Sequence, residues 1–321
     1  MRAPALALAL LAALAACSVP EPSAPPAATP APAEAPALMK WPDLLNRTRP
    51  EPDATIAYGA DQMQKVDVWL PKGKGPFPTV LMVHGGCWTT EIADRRIMNW
   101  IAADLRQRGI AVWNIDYRGV DRTGGGYPGT FLDAAAAADA LRAHAAEYKL
   151  DISPLVAIGH SAGGHLALWL AARRAAASRT PGPLIPRGSP LLGGDPIRID
   201  TVVSLGGLPD LELAATPPGS GCGTEVIAQL VGPPTMSSRH VYADTSVPRL
   251  APLGVRQVLI NGMQDRIIPV AYAEAYAKPM RAAGDKVKVR MIERTGHVEL
   301  IAPETAAWAA AVEEIEAGLQ R

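Results

Sequence analysis

The stretch LVAIGHSAGGHLALW, residues 155–169, constrains the fold of this chain more than any other. Its first part is a continuous apolar run, which is typical of a buried strand, and its last part has the small and apolar residues of a helix. Gly159 and Gly163 flank the junction, where larger side chains would keep the strand and the helix apart. The pattern predicts a strand, a very tight turn with Ser161 at its apex, and a helix.

The same alternation of strand and helix patterns continues along the chain. Val66, Val68 and Leu70 recur at every second position, which predicts a half-buried strand, and longer apolar runs predict fully buried strands. The predicted strands are 64–71, 79–86, 110–119, 155–160, 201–207, 257–262 and 286–293, and the predicted helices are 95–109, 130–148, 162–177, 271–284 and 303–319. Such alternation indicates an α/β fold, with a mostly parallel central sheet and helices on both of its faces.

Two stretches interrupt this alternation. Residues 177–199 are rich in proline and glycine and predict a long loop, and residues 208–247 insert more than one helix's length of chain between two strands. Loops of this length in a compact domain are usually functional. We expect both, and above all the lid-like insertion 208–247, to lie over the carboxyl ends of the strands, where open α/β sheets bind ligands.

The N-terminal segment has a different composition. Residues 1–17 combine one arginine, an apolar stretch too short to span a membrane and small residues, which predicts a secretory signal peptide. Their end, Leu-Ala-Ala-Cys17, resembles the bacterial lipobox, in which the cysteine is lipidated; a plain signal peptide cut nearby is the alternative. Ser18 in the next position favours the outer membrane of a Gram-negative bacterium. Residues 18–40, rich in proline and alanine, predict a disordered tether, so we expect the folded domain over 41–321.

Composition excludes some classes of partner. Lys+Arg and Asp+Glu both number 31, so the formal net charge is zero, whereas binding to nucleic acid requires a basic excess. Histidine, cysteine and carboxylate residues show no spacing typical of a metal site, so we expect no metal and no cofactor. The expected partners are a small-molecule substrate and, through the lipid anchor, a membrane. The sequence indicates no particular protein partner.

Ser161 is either a nucleophile or the N-cap of its helix, because serine is favoured at both positions. The G-x-S-x-G pattern between strand and helix favours the nucleophile, since this turn lifts the hydroxyl above the sheet. Of the six histidines, His297 follows the last predicted strand on a loop at its carboxyl end and is the best base. Asp265, after the strand QVLING, is the best acid, and capping of the next helix is its alternative role. Asp210 and Asp244 are rivals in the insertion.

Backbone N–H groups that bind a developing oxyanion would complete such a site. Ala162, the residue after Ser161, would supply one, and the loop VHGGCW (83–88) after an early strand would supply another. Cys87 in this loop and Cys222 in the insertion could form a disulfide, because an exported protein meets an oxidising compartment. Two unrelated buried thiols are the alternative, since the sequence does not give the distance between them.

These motifs resemble those of the α/β-hydrolases. Over about residues 55–318 the chain is similar to the branch of esterases and kynurenine formamidase-like enzymes that carry H-G-G-x-W together with G-H-S-A-G. The related lipase branch has a third glycine where this chain has Cys87. The resemblance implies Ser161 as nucleophile, Asp265 as acid, His297 as base, and Gly86, Cys87 and Ala162 as donors of the oxyanion hole. His84, Trp88 and His160 belong to the same motifs and are candidates for the wall of the substrate pocket.

The expected function is hydrolysis of carboxylic esters of small or medium substrates through an acyl-enzyme. The same residues could act on amides, as in an arylformamidase-like enzyme or an exopeptidase. An alternative of another class is an inactive hydrolase fold that only binds ligands at the cell surface.

Overall fold

The computed structural model describes residues 37–178, 189–236 and 239–320. Within these residues, one eight-stranded sheet has the order β1-β2-β4-β3-β5-β6-β7-β8. Strands β3 to β8 are parallel, whereas β2 pairs antiparallel with both β1 and β4. The strands are β1 (Ala54–Ala57), β2 (Lys65–Trp69), β3 (Phe77–Val83), β4 (Ala111–Ile115), β5 (Leu150–His160), β6 (Thr201–Leu205), β7 (Arg256–Gly262) and β8 (Lys286–Ile292).

Helices connect the parallel strands, as the alternating pattern predicted. They are α1 (Trp41–Leu45), α2 (Asn99–Gln107), α3 (Gly129–His144), α4 (Ala162–Ala177), α5 (Leu211–Ala214), α6 (Thr224–Val231), α7 (Ala271–Ala282) and α8 (Ala306–Leu319). Short 3₁₀ segments cover Arg95–Met98, Val247–Leu250 and Glu299–Ile301. The α/β class with a mostly parallel sheet is thus confirmed. Helix α1 and strand β1, which have no clear sequence pattern, were not predicted.

The central sheet is buried on both faces. Leu81 and Val83 of β3 point to one apolar layer, and Val80 and Met82 point to the other. The first layer contains the apolar sides of α3, α4 and α7, and the second contains those of α2 and α8. Strands buried on both faces read as continuous apolar runs, which explains why the sequence predicted them well.

Strand β2 corrects one expectation, because it is buried on both faces from Val66 to Trp69 rather than half-buried. Val66 and Val68 share one face, as predicted, but Asp67 and Trp69 on the other face are also buried. The Asp67 carboxylate lies 2.8 Å from Nε of Arg95, and this ion pair offsets the cost of burying its charge. Strand β1 covers the outer edge of β2, so β2 is an interior strand although it lies near the end of the sheet.

Several predictions concern residues outside the described part of the chain. The signal peptide, Cys17 and most of the tether fall within residues 1–36, and much of the long loop 177–199 falls within residues 179–188. The signal peptide, the lipidation site and the tether therefore stay predictions. From Leu38 onward the described residues form one compact unit. Among them, none of the helices has the length and apolar character needed to cross a membrane.

The insertion 208–247 contains α5 and α6 and lies beside the loop that follows β7. The Gly221 N–H donates a hydrogen bond of 2.7 Å to the carbonyl oxygen of Ile267. Because Ile267 follows the carboxyl end of β7, this contact places part of the insertion at the expected edge of the sheet.

Candidate active site

Ser161 lies on a sharp turn between the end of β5 and the first residue of α4. Its backbone has φ 54° and ψ −121°, in the left-handed region that a side chain disfavours. Such a conformation costs about 1–3 kcal/mol and persists only where the surroundings hold it. Its N–H donates to the carbonyl oxygen of Leu205 at 2.9 Å, which ties the turn to the end of β6.

The two glycines of the motif are required by close packing. A Cβ atom on Gly159 would overlap the carbonyl oxygen of Gly163, and one on Gly163 would overlap those of Val83 and His84. Ser161 stands at the N-cap position of α4, but its hydroxyl makes no capping hydrogen bond to the helix. The close packing of the two glycines therefore holds the turn in place, and the Ser161 hydroxyl is not bonded to the helix.

Asp265 and His297 lie at the same edge of the sheet and are hydrogen-bonded to each other. Nδ1 of His297 is 2.6 Å from Oδ2 of Asp265, and both residues are buried. The other carboxylate oxygen of Asp265 accepts the N–H groups of Ile267 at 2.8 Å and Ile268 at 2.9 Å. With both oxygens engaged, the carboxylate is fixed in place and directs Nδ1–H toward itself, which leaves Nε2 of His297 for another partner.

The other two candidate acids have different partners. Asp210 caps the short helix α5 by accepting the N–H of Leu213 at 3.1 Å. Asp244 accepts the hydroxyls of Ser189 at 2.6 Å and Tyr127 at 3.1 Å, and burial raises its pKa. Among the residues that the structure describes, neither carboxylate is hydrogen-bonded to a histidine ring. The alternative role of Asp265 is also excluded, because α7 begins at Ala271 and its N-cap is Val270.

The loop after β3 faces the serine turn with an unusual backbone. Gly86, Cys87 and Trp88 have positive φ angles of 107°, 50° and 54°. A Cβ atom on the preceding Gly85 would lie 3.0 Å from Cβ of Ser161, so this loop and the serine turn are in close contact. In the described part of the chain, the N–H groups of Gly86, Cys87 and Ala162 make no hydrogen bond. They are free to bind a ligand oxygen.

The side chain of His84 is buried and stabilises this loop, and it does not line a pocket. Its imidazole nitrogens lie 2.7 Å from the carbonyl oxygen of Gly85 and 2.8 Å from Oδ1 of Asp116, and its ring stacks on Tyr117 at 4.3 Å. The Tyr117 hydroxyl in turn donates to the His84 carbonyl oxygen at 2.9 Å. Arg95 completes the group with an ion pair of 2.9 Å to Asp116. The pocket role expected for His84 is therefore corrected to a structural one.

Trp88 and His160 are also buried against protein atoms. The Trp88 ring meets the edge of His165 at 5.5 Å and has no exposed surface. His165 itself is fully buried, and this burial lowers its pKa to about 4 although Nε2 donates to the carbonyl oxygen of Thr245 at 2.8 Å. His160 is 1% exposed and lies behind His297. The sequence placed Trp88 and His160 at the pocket wall because they adjoin the motifs, but their side chains point inward.

Cys87 and Cys222 form a disulfide in the structure, with their Cα atoms 5.4 Å apart. The bond joins the loop after β3 to the insertion. Beside it opens a cavity of about 490 Å³ whose lining is both polar and apolar. Its polar lining residues are Thr89, Asp121, Thr224, Glu225 and Gln229, and its apolar ones include Val120, Pro218 and Val226. Open space therefore lies next to the insertion, on the side of the disulfide.

Two residues near His297 had no sequence signal. Trp41 of α1 lies with its ring centre 6.3 Å from that of His297, and Glu299 accepts the N–H of Gly296 at 3.0 Å. Neither belongs to a recognisable motif. Within residues 37–178, 189–236 and 239–320, no group of three or more histidine, cysteine or carboxylate side chains could hold a metal ion.

Comparison with known proteins yields a family and several similar structures. The family model described as BD-FAE matches residues 66–280, which is more than half of the chain. The chain is 25% identical over 252 residues to the probable isoprenylcysteine alpha-carbonyl methylesterase ICME of Oryza sativa subsp. japonica. That alignment covers 77% of this chain but only 58% of the rice protein, so the chain spans little more than half of this relative.

Two solved structures illustrate the likeness in fold. A bifunctional GH43-CE protein of Bacteroides eggerthii has a TM-score of 0.67 at 22% identity, over 82% of this chain and 35% of that one. Thermogutta terrifontis esterase 2, phosphonylated by sarin, has a TM-score of 0.63 at 19% identity, over 84% of this chain and 95% of that one. At such identities these structures establish the shared α/β-hydrolase fold.

Proposed function

The chain belongs to the BD-FAE family, an α/β-hydrolase-type esterase family, and on this premise we propose that it hydrolyses carboxylic esters through a covalent acyl-enzyme. The observation that carries the proposal is the hydrogen bond of 2.6 Å between His297 and Asp265, at the edge of the sheet where Ser161 forms its strained turn. Base, acid and nucleophile are the groups that such chemistry needs.

In the proposed first step, Nε2 of His297 takes the proton of the Ser161 hydroxyl as its oxygen attacks the ester carbonyl carbon. The imidazolium that forms is stabilised by the Asp265 carboxylate, which also fixes the tautomer. Oδ1 of Asp265 is occupied by two backbone N–H groups, so the carboxylate cannot rotate away from His297. His297 then gives its proton to the departing alcohol oxygen.

The negative charge on the carbonyl oxygen requires donors that are already in place. The uncommitted N–H groups of Gly86, Cys87 and Ala162 are the proposed donors. Ala162 is also the first residue of the 16-residue helix α4, whose N-terminal end favours negative charge. In the second step, His297 removes a proton from water, water attacks the acyl-enzyme, and the carboxylic acid leaves as Ser161 recovers its proton.

The substrate we propose is a carboxylic ester of small or medium size. The cavity beside Cys222 is lined by hydroxyl, carboxyl and amide side chains together with Val120, Pro218 and Val226, which suits a substrate with polar and apolar parts. Similar proteins agree with an ester substrate: one is named a probable methylesterase, and another a carbohydrate esterase from gut microbiota. An acetylated sugar and a short aryl ester are the compounds to try first.

Amide hydrolysis is the second candidate, and the observation that favours it is the H-G-G-x-W loop next to G-H-S-A-G, which resembles kynurenine formamidase-like enzymes. Esters are easier to cleave than amides, so an ester assay detects either kind of enzyme. The discriminating experiment is a panel of p-nitrophenyl esters of rising chain length, acetylated sugars, N-formyl aromatic amines and aminoacyl arylamides. Faster turnover (kcat/KM) of the formyl amines than of any ester would replace the esterase proposal with an amidase.

A protein that turns over none of these compounds and is not labelled by a fluorophosphonate would contradict the proposed hydrolase function. It would instead favour a hydrolase fold that only binds ligands. Ser161→Ala is the matched control in every assay, since any activity that it retains comes from another source.

We further propose that the protein is exported and lipid-anchored through Cys17, in the outer membrane of a Gram-negative bacterium. The support is the sequence of residues 1–18 alone. Fractionation of cells that express the full chain, followed by intact-mass analysis, tests this proposal.

A further inference from the structure

Residues 38–44, which we call the N-terminal strap, contact the loop that carries His297. Neither the strap nor His297 lies within the residues 66–280 that the family model matches. We propose that the strap positions the catalytic base: it holds the His297 imidazole in line with Asp265 through Trp41 and through a carboxylate that it shares with the His297 loop. This inference rests on the proposed function, because it takes His297 to be the base.

The shared carboxylate belongs to Glu299. Its Oε1 accepts the N–H of Met39 at 2.5 Å, and its Oε2 accepts the N–H of Gly296 at 3.0 Å. Glu299 is 6% exposed, so these charge-assisted bonds form away from water, where they are strong and directional. One carboxylate thus joins the strap to the residue immediately before His297, although Met39 and Glu299 are 260 residues apart in the chain.

Trp41 contacts the ring of His297 itself. Its ring centre lies 6.3 Å from those of His160 and His297, at interplanar angles of 71° and 78°, and the two histidine rings lie 4.4 Å apart. These are edge-to-face arrangements, which aromatic rings prefer. The three rings form a triangle in which Trp41 restricts one side of His297 and His160 restricts another.

His160 fixes the backbone of the same residue. Its Nε2 lies 3.1 Å from the carbonyl oxygen of His297, so this nitrogen carries the proton and donates it. Burial, and next the neighbouring His297, lower the pKa of His160 well below its usual value, so His160 is neutral at pH 7. A neutral ring can restrain His297 without adding a competing positive charge.

His297 is therefore held at three levels: by Glu299 through the preceding residue, by His160 through its carbonyl, and by Trp41 and Asp265 through its ring. The strap supplies the Trp41 contact and one side of the Glu299 bridge. Small displacements of a catalytic group by about 1 Å can cost up to about 100-fold in rate, so a loosened ring should lower kcat. The cavity that we propose for the substrate is not lined by the strap, so we expect KM to change little.

The test uses the full chain with Trp41→Ala, Trp41→Phe and Leu45→Ala. Leu45 is 41% exposed on the same helix α1 and lies outside the strap, so it is the matched control. We expect Trp41→Ala to lower kcat for a short aryl ester about tenfold at nearly constant KM. Trp41→Phe should restore most of the loss, and Leu45→Ala should match the wild type. Titration of active sites with a fluorophosphonate corrects each rate for unfolded protein.

A second readout does not require turnover. The proton on Nδ1 of His297 that binds Asp265 should give a far-downfield NMR signal in the wild type, and Trp41→Ala should broaden or shift it. A Trp41→Ala protein with wild-type kcat per active site and an unchanged signal would overturn the strap proposal. A wild-type protein that shows the signal but cleaves no ester would contradict the proposed function. In that case the strap proposal is supported if Trp41→Ala alters the signal, and is overturned if it does not.

Glu299→Gln tests the shared carboxylate independently. The amide keeps one oxygen acceptor, so the N–H of either Met39 or Gly296 loses its partner. We expect kcat per active site to fall severalfold at constant KM. The matched control is Glu313→Gln. Glu313 lies on α8 and forms an exposed ion pair with Arg290 of β8, so this change should leave kcat unchanged. Equal kcat values per active site in Glu299→Gln and Glu313→Gln would remove the bridge from the proposal.

Discussion

Cys87 and Cys222 are 135 residues apart in the chain, yet a disulfide holds their Cα atoms 5.4 Å apart. Cys87 belongs to the loop that packs against the serine turn, and Cys222 belongs to the insertion and lines the cavity beside it. The bond therefore couples the shape of the cavity to the loop of the proposed oxyanion hole. Gly221 also has a backbone hydrogen bond to Ile267, so the insertion keeps a second attachment when the disulfide is broken.

Replacement of both cysteines by alanine should lower the free energy of unfolding by about 2–4 kcal/mol, because the bond closes a long loop. The loosened insertion should raise KM more than it slows labelling of Ser161 by a fluorophosphonate. Urea unfolding and ester kinetics, with and without a phosphine reductant, measure both effects. The reductant should have no effect on the double variant. Two alkylatable thiols in the unfolded, unreduced wild type would rule the bond out.

Ser161→Ala should abolish fluorophosphonate labelling and lower kcat by about 10⁴-fold or more, as removal of a triad nucleophile does elsewhere. Serine and alanine both carry a Cβ atom, so the positive φ at position 161 is equally unfavourable for either. The thermal unfolding midpoint should therefore stay close to that of the wild type. Near-wild-type turnover by a purified Ser161→Ala protein would end the assignment of Ser161 as nucleophile.

Asp265→Asn should keep the fold but lower kcat by about 10⁴-fold, because an amide favours the wrong tautomer of the partner histidine. Asp210→Asn is the matched control. Asp210 caps α5, so its replacement should cost at most about 1 kcal/mol of stability and should leave kcat unchanged. If the two variants lose activity equally, Asp265 is not the acid.

Stability should fall as the pH is lowered below about 6.5, because His165 is neutral in the folded protein. Burial lowers its pKa from 6.5 to about 4, so between these values the unfolded chain binds a proton that the folded protein does not. That difference amounts to about 2 kcal/mol at pH 5. His160, whose pKa is also lowered by burial, acts in the same direction.

Urea unfolding at pH 7.5 and pH 5 measures this loss. His165→Gln retains a donor toward the Thr245 carbonyl oxygen but cannot titrate, so it should lose less stability between the two pH values than the wild type. An equal loss in both proteins would show that other groups control the acid response.

Cys17→Ala should move the protein from the membrane fraction to the soluble fraction, because the proposed acyl chains are attached to that residue. Fractionation and intact-mass analysis of the mature chain check this outcome. Cleavage at another residue without a lipid would overturn the proposed localisation. Cys222→Ala, which leaves residue 17 in place, is the control for loss of a cysteine.

The sequence alone was sufficient to predict the α/β class and the succession of strands and helices along the chain. Strands β3 and β5 to β7 are buried on both faces, so each one leaves a continuous apolar run that a reader can find locally. The serine turn could also be predicted from the sequence. Backbone contacts between adjacent elements leave no room for a side chain at positions 159 and 163, so both must be glycine. Asp265 and His297 could be chosen since each follows the carboxyl end of a parallel strand, and these ends meet at one edge of the sheet.

Tertiary structure alone decided the features that depend on contacts between distant segments. Strand β2 is covered on its second face by residues that the alternation of Val66 and Val68 does not reveal. Whether His84 and His160 face a pocket or the interior, and whether two cysteines meet, depends on how loops from different strands pack. Met39 of the strap and Glu299 lie 260 residues apart and have no common sequence pattern. Local periodicity reports which face of an element is buried, but only the packed chain determines which distant side chain buries it.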